Sequence, residues 1–424
     1  MSRTTAKATQ SAPYSYTVNL AEVKIPEFNA SQTRTSPDEW VKYGDTNLFP
    51  EFLMKSVKHS TRHSAFIGLR ENMIKGSGVT CSDNLKSFLE NLDEEGQTVE
   101  ELLEDWATDM SILETFACAV RYNASKTAII HLDYLDSSKV RPARIKQTAE
   151  ELKNGELPVI KGYYVSQDWS DVQRNPPVFY EKFNPNRIDK TTQLFFYHKR
   201  ANGQPYLPEV SYASCLNYVQ MEYEASKYGL NTMLNGFFAS AILSVTAGMS
   251  EEQKTAFKNG VNATFSGSEN ASKLMVVVSE QADSVKVTPI STSDNTPMLE
   301  ALLAMSEAAI CTAHRAQPVL AGIQSTGSGL GSDGKLIKTS QELYYNNVIV
   351  HLQKPILAFL KRVFKFNKIT DYTLLIQSIN LISEDTPDWF LQNYIKPDVL
   401  AARYGFKASD LKVEDLPEAL PIAA

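Results

Sequence analysis

The chain has 424 residues, 43% hydrophobic and 21% charged, which is enough apolar material for two or three globular cores. Its formal net charge of -7 argues against a broadly basic nucleic-acid-binding surface. The four cysteines, Cys81, Cys118, Cys215 and Cys311, are far apart and form no C-x-x-C pair or Cys/His motif, which argues against a zinc site and against any need for an oxidising compartment.

Residues 1–39 lack the apolar run of a secretory signal and are expected to be a disordered arm. The next stretch, "WVKYGDTNLFPEFLMKSVKHSTRHSAFIGLRENMIKGSG", predicts one helix, with Pro50 in its first turn and Gly76 at its stop. Phe52, Leu53, Phe66, Ile67 and Ile74 supply its apolar stripe. A second helix starts at Thr98, which pairs with Glu101 as a capping box, and Leu102, Leu103, Trp106, Met110 and Leu113 follow at helical spacing.

From Phe116 to about Tyr197 the pattern changes to short aromatic and β-branched strands, "ACAVRYN", "AIIHLDYL", "IKGYYVSQDW" and "QLFFYHKR". The first 200 or so residues therefore read as a mixed α/β unit. A proline-marked connector, "GQPYLPEVSY", leads to a helix with Cys215, Leu216, Val219, Tyr223, Leu230 and Leu234 on one broad face. Tyr228 to Ser250 carries no charge and is long enough to span a bilayer. Its asparagines and glycines, and the lack of a basic flank, favour a helix end buried between subunits.

A compact insert follows, with a short helix capped by Ser250 and Gln253 and two strands, "KLMVVVS" and "SVKVTPI". Thr296 and Pro297 then start another helix that ends before Pro318. After a Gly/Ser-rich loop, a long helix runs from about Lys335 to Phe366, and Pro355 is expected to kink it. The tail holds one strand-like run, "YTLLIQSINLI".

The loop "GSGLGSDGKL" nearly matches the phosphate-cradling pattern G-x-x-x-x-G-K-[S/T], from Gly329 to Lys335. Leu336 stands where that pattern needs a magnesium-binding hydroxyl, and no strand is expected to deliver the loop. His59 and His63, four apart, lack the carboxylate of H-E-x-x-H and are expected on a solvated helix face. His314 and Arg315 are expected to satisfy the last carbonyls of their helix. Asp133 and Asp136 of "HLDYLD" would point to opposite faces of a strand. No nucleophile motif is present, so no enzyme, cofactor or metal is expected. Lys335, Lys338, Lys354, Lys361, Arg362, Lys365 and Lys368 concentrate positive charge on and beyond the long helix.

The order of elements, with the strings "QPYLPEVSYASCLNYVQMEYEASKYGLNTMLNGFFASAIL", "SEEQKTAFKNGVNATFSGSENASKLMVVVSEQADSVKVTPI" and "EAAICTAHRAQPVLAG", resembles the portal proteins of tailed bacteriophages over Trp40 to Phe366. The resemblance implies an α+β portal-type fold. Residues 40–208 would be an α/β wing, 209–238 the first stem helix, 239–295 the clip and 296–317 the second stem helix. Residues 318–334 would be a tunnel loop, 335–366 a long kinked tunnel helix, and 367–424 a C-terminal wing or short crown region.

The implied function is a ring of about twelve subunits at one capsid vertex of the virion, assembled in the host cytoplasm. It passes double-stranded DNA during packaging and ejection. The implied partners are further copies of the chain, the terminase large subunit, a head–tail adaptor and the major capsid or scaffolding protein, with no membrane. The implied DNA-channel residues are Gln324, Ser325, Thr326, Ser328, Lys335 and Lys338. The implied stem interface is Tyr223, Tyr228, Leu234, Phe237 and Phe238, and Lys254, Lys258 and Lys273 would dock the clip. A nucleotide-hydrolysing enzyme using Gly329 to Lys335, and a membrane-embedded pore using Tyr228 to Ser250, are the two alternatives.

Overall fold

The computed structural model describes residues 39–146, 149–155, 157, 159–199, 206–207, 209–234, 241–245, 285–289, 296–323 and 333–379. The first predicted helix is two helices, α1 (Phe49–His59) and α2 (Thr61–Lys75), broken at Ser60. Ser60 is extended, and its hydroxyl accepts the backbone N–H of His63 at 3.0 Å, so a serine favouring the N-cap role interrupts the run. Gly76 stops α2 at φ 70, a conformation that costs side-chain-bearing residues. Strand β1 (Val79–Cys81) and helix α3 (Asp83–Leu89) follow. Helix α4 (Val99–Ile112) has the expected reciprocal capping box between Thr98 and Glu101.

Three antiparallel strands, β2 (Phe116–Tyr122), β3 (Ile129–Leu135) and β7 (Thr192–Tyr197), form a sheet in the order β3-β2-β7. A second sheet holds β4 (Val140–Pro142), β5 (Gly162–Val165) and β6 (Val178–Glu181), also antiparallel, with the short helix α5 (Ala149–Lys153) between β4 and β5.

The chain then forms α6 (Leu216–Leu234), β8 (Ala241–Val245), β9 (Val285–Pro289) and α7 (Thr296–His314). Strands β8 and β9 pair antiparallel. Helix α6 is described to Leu234, within the 209–238 range expected for that helix, and β8 lies in the later part of the uncharged Tyr228 to Ser250 span, as the β-branched Ile242 and Val245 favour. The "KLMVVVS" run and the Ser250 helix lie outside the described residues. A 3₁₀ turn at Pro318–Ala321 precedes α8 (Asp333–Tyr344).

Helix α8 continues through a wide π turn, Tyr345–Ile349, into α9 (Val350–Phe366). The long helical run thus carries a π turn ahead of Pro355, which lies inside α9. Strand β10 (Leu374–Ile376) returns antiparallel to β1.

The core lies where α4 and α9 meet the first sheet. Phe359 of α9 stacks on Phe195 at 4.2 Å between ring centroids and makes edge contacts with Trp106, Phe116 and Phe183. All of β2 except Ala119 and Arg121 is buried, as expected of a strand covered on both faces. Trp106 also donates its indole N–H to the Ala117 carbonyl at 3.0 Å, so its one polar atom is satisfied inside the core.

Candidate functional site

Helices α6 and α7 form an antiparallel pair. Tyr212, just before α6, stacks on His314 at the end of α7, while Met221 further along α6 meets Ser306 further back on α7. The pair starts at the α/β body, and the paired strands β8 and β9 lie between the two helices in sequence.

The pair is anchored by charge at the N-terminus of α2. Ser60 donates its hydroxyl to Glu222 at 2.6 Å. Arg62 bridges both helices, reaching Glu222 at 3.2 Å and Glu307 at 2.9 Å. Glu222 is buried, so its pairing matters more than that of a surface carboxylate. The two carboxylates also sit by the positive end of the α2 dipole.

Away from that anchor the pair exposes several apolar side chains among the described residues. Leu230 is 57% exposed, Met233 74% and Met305 47%. Met305 also lines an open groove of about 590 Å³ nearer the body, with Ser214, Tyr218, Ala308, Ala309 and Thr312 among others. The helix face read from the sequence therefore divides. Cys215, Leu216 and Val219 are buried in the body, whereas Leu230 is on the surface.

A cavity of about 400 Å³ opens where the body, α7 and the π turn converge, and Arg70, Lys199, Arg315 and His351 line it together with Glu114. Arg70 is fully inside and pairs with Glu114 at 3.0 Å, and Glu114 also accepts the Ser211 backbone N–H at 3.0 Å. Glu114 adopts φ 54, so this ion pair is held by a left-handed residue directly after α4.

His63 is buried, and the expectation of a solvated helix face does not hold for it. The break at Ser60 turns α2 so that His63 faces α7. Its Nδ1 is 2.9 Å from Nε2 of His314. His314 is also buried and serves this contact instead of its own helix carbonyls, while Arg315 adopts φ 57 and ends the helix. Burial, with a smaller contribution from the Arg70 charge, lowers the His63 imidazole to about 4. Burial likewise puts His314 well below its ordinary value, so both rings are neutral. His59 stacks on Tyr223 at 4.0 Å.

Cys215 is the third member of this group. Its Sγ and one nitrogen of each histidine all lie within 4.8 Å of one another. No sequence motif could have found this set, because His63 and His314 are 251 positions apart and Cys215 comes from a third element.

Of the other residues singled out from the sequence, Lys338 is exposed on α8 and Tyr228 is exposed on α6. Gln324, Ser325, Thr326, Ser328, Phe237, Phe238, Lys254, Lys258 and Lys273 lie outside the described residues, as do the side chains of Leu234 and Lys335. Lys354, Lys361, Arg362, Lys365 and Lys368 share the exposed side of α9 and its end. Asp133 pairs with Arg121, and Asp136 accepts the Ser138 backbone N–H at 2.8 Å, so the two do not converge.

The elements before the Gly/Ser-rich loop are α7 and a 3₁₀ turn, which is not the strand-to-loop delivery that a phosphate cradle uses. Among the described residues, no helix is long and apolar enough to cross a membrane.

No protein-family model and no curated protein matches the chain. Among solved structures, it is similar to a chain of the virion of a native gene transfer agent particle, with 13% identity and a TM-score of 0.48, over 86% of this chain and 91% of that one. A chain from the neck of the native gene transfer agent particle gives the same values. A phage portal protein of the HK97 family from Corynebacterium diphtheriae is similar at 11% identity and a TM-score of 0.38, over 69% of this chain and 90% of that one.

Proposed function

We propose that the chain is a ring-forming portal subunit of a phage-type particle and not an enzyme. In this reading about twelve copies close into a ring at one capsid vertex. Duplex DNA passes along the axis during packaging and ejection, and terminase, a head–tail adaptor and capsid or scaffolding protein dock outside it. Residues 40–208 are the wing, 209–238 and 296–317 the stem, 239–295 the clip, 318–334 the tunnel loop, 335–366 the long tunnel helix, and 367–424 the C-terminal wing or short crown.

The observation that carries this reading is the α6–α7 pair. It leaves an α/β body and has a pair of antiparallel strands beyond it in sequence, and among the described residues nothing covers its exposed Leu230, Met233 and Met305. A neighbouring copy presenting the same pair supplies that cover, and repetition of one heterologous contact closes a ring. The mild acidity of the chain suits a channel in which DNA must slide, because many phosphate contacts would hold it.

Electron microscopy of the purified protein in negative stain, with light scattering of the same sample, tests the reading. Closed rings with a central hole are expected. A monomer at high concentration with no rings on the grid would overturn it. A ring carrying Gly327→Pro and Gly329→Pro should assemble but package or retain DNA poorly, and normal packaging by that ring would refute the tunnel-loop assignment.

A further inference from the structure

We propose that His63, Cys215 and His314 form a buried site for one monovalent soft metal ion, copper(I), at the junction of α2, α6 and α7. The three donors are already gathered, with Nδ1 of His63 and Nε2 of His314 2.9 Å apart and Cys215 Sγ within 4.8 Å of both rings' donor atoms. Two nitrogens on a three-coordinate ion would be roughly 3.5 Å apart, given metal–nitrogen bonds of about 2.0 Å. Small shifts of the rings and a turn of the Cys215 side chain therefore suffice. The 2.9 Å approach is a hydrogen bond between the two rings, which binding would replace with two metal–nitrogen bonds, leaving each ring's N–H on its far nitrogen, His63 Nε2 or His314 Nδ1.

The surroundings select the ion. The ring of Tyr212 lies 5.1 Å from each imidazole and Phe66 stacks on His314 at 5.3 Å, so aromatic walls shield the group from water. A thiolate and two imidazoles suit a soft ion of low coordination number. One thiolate balances the single charge of copper(I) and leaves the site neutral, whereas a divalent ion would leave a net positive charge in the core beside Arg70. Arg70 is itself neutralised by Glu114, so it does not supply a further unpaired charge. Binding forms one copper–sulfur and two copper–nitrogen bonds. It releases the Cys215 thiol proton to buffer, with no change of oxidation state. The site is independent of the ring reading, because all three donors belong to one chain.

The test is anaerobic titration of the full chain with copper(I) held by a chromophoric bidentate chelator, followed by X-ray absorption at the copper edge. One equivalent per chain should be withdrawn, with one sulfur and two nitrogens around the metal. Cys215→Ala should weaken binding by about 100-fold or more while far-UV circular dichroism is unchanged, and Cys81→Ser should bind as the parent does. If His63→Ala fails to fold, the Cys215→Ala result still decides. The proposal is overturned if no copper leaves the chelator, if Cys215→Ala binds as tightly as the parent, or if zinc(II) displaces copper(I) at equal buffered activity.

Discussion

Asp109 gives a pH dependence opposite in sign to that of most carboxylates. It is 7% exposed on α4, where its carboxylate accepts the Ser137 backbone N–H at 3.0 Å and the Tyr134 hydroxyl at 3.3 Å. Burial dominates over these bonds and raises its pKa from 3.8 to about 7. With the folded value above the unfolded one, the native state holds more protons between those two pH values. The associated stability is full below pH 3.8 and is lost as pH rises through about 7.

Integrated from pH 5 to pH 8, the loss is on the order of 2–3 kcal/mol. Asp109→Asn keeps the shape and removes the titration. Urea unfolding of parent and variant, followed by circular dichroism at several pH values in constant salt, isolates this contribution, because the other titrating groups cancel in the difference. The parent should lose on the order of 2–3 kcal/mol relative to the variant between those pH values. Parallel pH profiles would refute the assignment of Asp109 as a carboxylic acid kept neutral by burial.

Phe359→Ala removes the ring that touches Trp106, Phe116, Phe183 and Phe195, and should cost roughly 3–5 kcal/mol in urea unfolding. Gln353→Leu strips the buried amide that donates to the Ile74 carbonyl at 3.0 Å and the Met73 carbonyl at 3.3 Å, and should cost about 1–3 kcal/mol by the same measurement. Gly76→Ala drives a Cβ into the Gln377 carbonyl at a positive φ, so amide exchange in β1 and β10 should accelerate while α4 stays protected. Leu230→Glu with Met233→Glu should leave the fold intact and abolish rings on the grid. Rings that persist would mean that this face is not the subunit contact.

What could be read in the sequence was local. The Thr98 capping box, the four aromatic strand runs, the Gly76 stop and the order of helices around the insert depend on residues within a few positions of one another, and the structure has them as expected. The misses share a cause. Ser60 looks like any exposed serine between two helical turns. It breaks the helix because capping α2 and bonding Glu222 together outweigh the continued run, and Glu222 is 162 positions away. The π turn at Tyr345–Ile349 has no residue signature of its own by which the sequence could announce it. The histidine–cysteine group is assembled from three elements with no spacing rule, so only folding could reveal it.

Helix α2 shows why those misses matter to one another. Thr61, Ser64 and Asn72 are exposed, but other polar groups of the helix are spent inward along its length. Arg62 goes to Glu222 and Glu307 at the first turn, His63 to His314 beside it, Arg70 to Glu114 in the middle, and the carbonyls of Met73 and Ile74 to Gln353 at the end. Because its buried face mixes His63 and Arg70 with Phe66, Ile67, Met73 and Ile74, the helix has no clean amphipathic stripe, and periodicity alone could not tell which residues it buries. The same arrangement couples the α6–α7 pair to α9 through one rigid element. A shift of the pair at Glu222 and Glu307 must either break buried polar contacts, each about 1–3 kcal/mol to leave unmade, or carry α2 and the long helix with it.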